Sequence, residues 1–363
     1  MTIRPVSEIP NSPARFDNDS LCKSLKSIVR STVNNMVCSP LQGDASDRKY
    51  YRVTFQTEVS GKRRESMILM QLQEPFPGGE NDFTRILKFL RKLELPVPEL
   101  LHTHSEKGLL FLEDCGPFTL EDWIRDHPED KEGYYSQAVD LLAKLHHRAT
   151  KNSSADCPAF HLRFDEKKLM WELDFMMEHY VKGLQQSHLN DREISEIRGH
   201  FLFLCQTLAK QEPVFTHRDF HSRNLIAQNG KLIILDFQDA RMGPCQYDLV
   251  SLLKDSYVQL DDGFRDEMIE RYIQLKEKAE DRPVDRHEFH RIFDWMSIQR
   301  NLKAMGTFAF QAVVKGNHRY LEYMPETLTY VRKTLETRPD LQALRKALVK
   351  YLPGLTLENT EGN

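Results

Sequence analysis

Residues 217–224 read His-Arg-Asp-Phe-His-Ser-Arg-Asn, and Asp236 follows twelve positions after Asn224 in Leu-Asp-Phe-Gln. Between them lie Leu225-Ile226-Ala227, then Asn229-Gly230, then Lys231-Leu232-Ile233-Ile234-Leu235. Asn-Gly between two apolar runs is a strong hairpin signal, because both central residues of the tight turn need positive φ. Such a hairpin brings Asn224 and Asp236 to the same end of two paired strands. Just upstream, Val214-Phe215-Thr216 is a short β-prone run that ends at His217. An ordinary hairpin with polar residues at its base is the bland alternative. The joint offsets of Asp219, Asn224 and Asp236 argue against it.

Those offsets fit one chemistry. Phosphoryl transfer needs a carboxylate beside the attacking hydroxyl, plus an amide oxygen and a second carboxylate on Mg²⁺. The spacing H-R-D-x-x-x-x-N followed by a metal-binding Asp is that of a kinase catalytic loop. Asp219 is therefore the candidate base, and Asn224 and Asp236 are the candidate metal ligands. ATP and Mg²⁺ are the expected cofactors.

The chain has 363 residues, 40% hydrophobic and 29% charged, with a net charge of −4. This is ordinary globular composition. The charge gives no reason to expect nucleic acid or an anionic membrane as the main partner. No obligate protein partner is evident, and a small-molecule substrate is expected. The N-terminal residues lack the apolar core of a signal peptide. Cysteines 22, 38, 115, 157, 205 and 245 show no C-x-x-C. That speaks against structural zinc and disulfides and for a reducing, cytoplasmic setting.

Periodicity supplies the layout. Residues 1–20 are rich in Pro, Ser, Asn and Asp and read as a leader. Apolar spacing predicts a helix over 21–36, strands over 50–55 and 66–72, a helix over 82–93 and a strand over 109–112. Beyond Gly116 the pattern turns helical: 134–148, 169–183, 191–211, 249–260, 263–278, 287–314 and segments after 326. The expectation is an α+β, two-lobed, protein-kinase-like fold. Its N-lobe covers 21–113, its C-lobe 114–352, and 353–363 form a tail.

Protein kinases carry a long segment ending in A-P-E between the metal Asp and the next large helix. Here Asp248, read as the N-cap of that helix, follows Asp236 closely and no A-P-E intervenes. A small acceptor fits better than a protein. The two motifs together resemble the aminoglycoside phosphotransferase/choline kinase superfamily. Residues 43–53, 217–224, 234–253 and 299–306 further resemble the bacterial N-acetylmuramate/N-acetylglucosamine kinases of cell-wall recycling. That resemblance implies ATP-dependent phosphorylation of an amino sugar at its anomeric hydroxyl. An aminoglycoside, choline or another metabolite is the alternative acceptor.

The remaining candidates follow from that resemblance and from local chemistry. Gly43 and Ser46 lie where a phosphate-cradling turn is expected, with a plain β-turn as the alternative. Met70 stands where protein kinases place a phosphate-binding Lys. The missing charge motivates a rival reading, a nucleotide-binding pseudokinase regulator. Arg48 is the favoured replacement cation, since strand alternation puts Arg48 and Lys49 on opposite faces. Glu113 closes the strand expected to present backbone groups to a purine. His221 touches the transferring phosphoryl or braces the loop. Arg241, Arg300 and Lys303 are candidates for binding a lactyl carboxylate, with a solvated basic face as the alternative. Trp171 reads as a core residue, and His146 and His147 as helix-end residues without a function.

Overall fold

The structure is a computed structural model and describes residues 16–41, 48–58 and 65–356. In chain order the first elements are α1 (Asn18–Val29), β1 (Val33–Leu41), β2 (Lys49–Thr57), β3 (Glu65–Gln71), α2 (Asp82–Lys92), β4 (Leu100–His104), β5 (Leu109–Glu113) and α3 (Leu120–Asp126). Then come α4 (Lys131–Lys151), α5 (Glu166–Met176), α6 (Asp191–Ala209), β6 (Pro213–Thr216), β7 (Leu225–Gln228), β8 (Lys231–Ile234) and β9 (Arg241–Pro244). The chain finishes with α7 (Cys245–Leu253), α8 (Asp262–Glu280), α9 (Arg286–Val313), α10 (Met324–Thr337) and α11 (Gln342–Leu348). It divides into two compact units. The first holds the described residues up to Tyr134 together with Asp156–Pro158 and Arg223–Gln238, and the second holds the rest. The division thus falls after Tyr134, not after 113, and residues 223–238 join the first unit.

In the first unit an antiparallel sheet runs β1-β2-β3-β5-β4. One face packs Val53, Phe55, Met67, Leu69, Leu109 and Phe111 against Leu21 and Leu25 of α1. Alternation turns Tyr50, Ile68, Met70 and Leu112 to the opposite face. The expected helix over 21–36 ends early, because Arg30 takes a left-handed cap with φ 52°. Val33 and Met36 belong instead to β1, which slips register between Asn34 and Val37. The bulge lets residues three apart share a face, so Val33 and Met36 reach the same core as α1. The apolar spacing there marked burial correctly but imitated a helical period. β4 was not anticipated, since Leu100-Leu-His-Thr-His has no clean alternation.

The second unit is mostly helical. α9 packs against α5, α7 and α10. Its one glycine, Gly306, meets the backbone of α5: an added Cβ would lie 2.7 Å from Met176 Cα. β6 pairs with β9, Thr216 opposite Arg241. The helix expected over 249–260 is instead α7, which ends at Leu253. Pro353–Leu355, placed in the tail by the sequence reading, forms a turn with Leu355 buried. Among the described residues no helix is long and apolar enough to cross a membrane.

Candidate active site

The β7–β8 hairpin belongs to the first unit and forms as its turn chemistry requires. Asn229 and Gly230 take φ of 51° and 72°, and Leu225 pairs with Ile234. The Leu235 N–H donates to the Asn224 carbonyl at 2.9 Å. Asn224, which is buried, and Asp236 therefore stand at the open end of the hairpin. Asp236 itself has φ 60°, the left-handed region. Its Oδ1 accepts from Gln238 Nε2 at 2.8 Å.

Beside Asp236 in the same unit is a cleft. Tyr50, Ile68, Phe83, Leu112, Ile226 and Phe237 give it apolar walls, and the end of β5 at Glu113 and Asp114 lies on its border. Such a cleft, apolar with a few polar groups at one edge, suits a flat heteroaromatic ring. Arg52 fixes the strand end: its Nε lies 2.7 Å from Asp114 Oδ2, and its Nη2 donates to the Gly116 carbonyl at 3.0 Å. Glu113 is tied to Glu99, whose N–H donates to Glu113 Oε2 at 3.0 Å. Met70 is fully buried. The buried face of α2 offers only Phe83, Thr84, Ile86, Leu87 and Leu90, so no carboxylate there partners a cation at 70. Arg48 precedes β2 on the face of Tyr50. The Tyr50 phenol is pushed up by burial and by the charge of Asp236, and a hydrogen bond from Arg48 opposes this. Gly43 and Ser46 lie outside the described residues.

The second unit holds Asp219. Its Oδ1 accepts from Lys303 Nζ at 3.1 Å, and Arg300 and Arg218 lie at 3.9 and 3.8 Å. Burial pushes the Asp219 carboxyl up. Lys303, Arg218, Arg300 and His221 outweigh burial and hold it well below the usual carboxylate range. Burial lowers the Lys303 ammonium in turn, against the pull of Asp219. Arg300 also donates to Ser251 Oγ at 2.6 Å. The two α9 cations, Arg300 buried and Lys303 mostly so, are thus partners of Asp219, not a solvated basic face. Arg241, also buried, donates to the Asp239 carbonyl at 3.2 Å and lies over the Phe164 ring at 5.1 Å. Arg218 pairs with Asp239 at 3.2 Å.

Bracing residues explain how this loop is held. Asp248 is not a helix cap. It lies within α7, whose N-cap is Pro244, and is fully buried. Its Oδ2 accepts from the His217 N–H at 2.6 Å and its Oδ1 from the Arg218 N–H at 2.8 Å. Arg218 has φ 84°, so its N–H is aimed by a left-handed backbone. His146 Nε2 lies 3.0 Å from Asp248 Oδ2, and its Nδ1 lies 2.6 Å from the Tyr272 hydroxyl. An acceptor-only carboxylate fixes the proton on Nε2, so Tyr272 donates to Nδ1. Burial lowers the His146 pKa, which suits a neutral ring. The sequence reading gave His146 no role. Its place on the apolar stripe of Leu142, Leu145 and Ala149 was the signal that it points inward.

Asp255 is a second buried brace. Its Oδ2 accepts from the Ser222 N–H and Oγ at 2.9 and 2.6 Å, and its Oδ1 from the Tyr257 N–H at 3.0 Å. These bonds turn the chain out of helix after Leu253. On α5 the inward residue is Glu172, which accepts from Gln299 Nε2 at 3.0 Å. Trp171, expected in the core, is 54% exposed, because α5 directs Leu169, Glu172, Leu173 and Met176 inward instead.

The comparisons agree with this architecture. The sequence matches the phosphotransferase enzyme family over residues 37–287. The chain belongs to that family and is a small-molecule kinase. It is 28% identical to the N-acetylmuramate/N-acetylglucosamine kinase of Neisseria meningitidis serogroup B, covering 87% of this chain and 90% of the relative. It is 30% identical to the protein of that name from Pseudomonas putida, covering 86% and 87%. Among solved structures, a choline kinase from Streptococcus pneumoniae superposes with a TM-score of 0.57 at 15% identity, covering 88% and 99%.

Proposed function

We propose that the protein transfers the γ-phosphoryl group of ATP to the anomeric hydroxyl of N-acetylmuramate or N-acetylglucosamine, with Asp219 as the base. The observation that carries the reading is a partly exposed carboxylate kept ionised by Lys303, Arg218 and Arg300 within a catalytic-loop sequence. The relatives' names support the choice of acceptor.

A base held below its usual range is a weak proton acceptor, but its ionised carboxylate still accepts a hydrogen bond. It orients the sugar hydroxyl and takes the proton late, as the O–P bond forms in a loose transition state. An anomeric hydroxyl, more acidic than an ordinary alcohol, suits such a base. The cleft with its apolar walls and the end of β5 would hold the adenine, with Arg48, which bonds Tyr50 opposite Met70, the candidate to replace the strand lysine. Asn224 and Asp236 offer an amide oxygen and a carboxylate, a hard pair that fits Mg²⁺, an ion that takes its other positions from water and phosphate. Among the described residues no group of three or more His, Cys, Asp or Glu side chains forms a complete cage. When bound, the ion neutralises phosphate charge. Arg241 is the favoured partner for the lactyl carboxylate of N-acetylmuramate, because Lys303 and Arg300 are already directed at Asp219. All six cysteines are free thiols, which suits a reducing compartment, and we place the reaction in the cytoplasm.

The test is turnover with ATP and Mg²⁺ against a panel of amino sugars, choline and aminoglycosides, with the phosphorylated position read by NMR. Sugar 1-phosphates are expected. Asp219→Asn should lower kcat by about 10²–10⁴ while keeping nucleotide binding. Phosphate at O6, or brisk turnover of choline beside none of either sugar, would overturn the acceptor assignment.

A further inference from the structure

The functional reading leaves open what holds the acceptor's ring against Asp219. Two residues beyond the base, the partly buried His221 ring lies 5.4 Å from that of Tyr257, at 65°. Tyr257 meets Tyr323 at 4.8 Å and Phe308 at 6.3 Å. Phe308 stacks on Tyr320 at 5.8 Å. Phe308 and Tyr320 are buried, whereas Tyr257, Tyr323 and His221 are only partly so. The cluster therefore has a packed base and a half-open rim. Phe308 sits on α9 shortly after Lys303, the residue that bonds Asp219.

Its attachment to the base is specific. Asp255 grips Ser222 of the catalytic loop with one oxygen and the Tyr257 N–H with the other. Tyr257 is thus fixed, through a single buried carboxylate, to the loop that carries Asp219. That bond uses the backbone N–H, so it places residue 257 beside the loop, and the ring, unlike that of Phe308, stays partly uncovered.

We infer that Tyr257 is an acceptor-binding residue whose ring takes the apolar C–H face of the sugar and so aims the reacting hydroxyl at Asp219. The inference rests on the amino-sugar reading above. A tyrosine offers a large rigid face at small entropic cost, and anchoring it to the loop keeps the bound sugar within attacking geometry.

The experiment compares Tyr257→Phe, Tyr257→Leu and Tyr257→Ala in the full chain, using N-acetylglucosamine and ATP as substrates. Tyr257→Phe keeps the ring and should keep the sugar KM. Tyr257→Leu keeps apolar bulk without an aromatic face. It should raise the sugar KM by about tenfold, as loss of an aromatic contact implies, with the KM for ATP unchanged and only a modest fall in melting temperature from the lost ring contacts with Tyr323 and Phe308. Tyr257→Ala should raise it at least as much. A sugar KM unmoved in Tyr257→Leu, or moved together with that for ATP, would overturn the inference and leave the amino-sugar reading intact. Failure of the wild-type protein to phosphorylate any amino sugar would remove both.

Discussion

Asp248→Asn is the substitution that most directly asks whether the catalytic loop is held by the network described here. The side chain is fully buried and accepts three hydrogen bonds through two oxygens. The amide keeps the shape but turns one oxygen into a donor. If its oxygen remains at the Oδ2 position, the bonds from His217 and His146 survive and the new NH₂ faces the Arg218 N–H. One backbone donor is then buried without an acceptor, at about 1–3 kcal/mol. The two surviving bonds lose their charge assistance, which roughly halves them. The sum is about 3–6 kcal/mol. Part of it is recovered if residue 218 relaxes from its left-handed backbone, worth about 1–3 kcal/mol. That relaxation moves the loop bearing Asp219, and a displacement near 1 Å costs roughly 10²-fold in rate. The assay is urea denaturation alongside steady-state kinetics and nucleotide titration. A lower denaturation midpoint and a kcat reduced by about 10² are expected. Nucleotide affinity should hold, since the cleft is lined by the first unit. Lost stability with wild-type kcat would refute the positioning argument, and an unchanged midpoint would refute the energetics.

Two further outcomes follow from particular contacts. Lys303→Met removes the nearest cation from Asp219, so its carboxyl should rise. A carboxyl depressed in the folded state stabilises above its unfolded pKa and loses that contribution as pH falls through the folded one. The acid limbs of both the kcat/KM profile and the stability profile should therefore move to higher pH, and limbs that stay in place would show that Lys303 does not hold the base. Gly306→Ala puts a carbon 2.7 Å from Met176 Cα and should destabilise by about 1–3 kcal/mol by overpacking, read as a lower melting temperature.

Much of the site was legible because its chemistry is local in sequence. The hairpin between Asn224 and Asp236 follows from Asn229-Gly230, and the short link to α7 from the absence of a long segment after Asp236. The braces were not legible, because they are single polar residues from distant elements. Asp248 looks like a cap until the chain carries it beneath His217. Tyr257 was hidden inside an expected helix that Asp255 terminates through bonds to residues far away in sequence. Trp171, expected in the core, is exposed, and its neighbour Glu172 is buried. Residue type favours a buried Trp and an exposed Glu, but Gln299 and Tyr247 give Glu172 partners inside. The segment 299–306 resembled a family pattern without an evident reason. The fold supplies reasons: Gln299 holds Glu172, Arg300 and Lys303 serve Asp219, and Gly306 admits α5.

The left-handed backbones at Arg218 and Asp236 carry a wider consequence. Glycine is at ease in that region, aspartate is tolerated there and arginine is not favoured. Both positions nonetheless keep side chains, one beside the base and one at the hairpin's open end. Replacing either with glycine would ease the local backbone and at the same time delete the Asp236 carboxylate proposed for Mg²⁺ or the Arg218 guanidinium paired with Asp239. A screen that rewarded heat resistance alone would drift toward glycine at both sites and collect durable, inert proteins. Selection for the proposed turnover would pull the other way, toward side chains that this backbone region accommodates less easily than glycine.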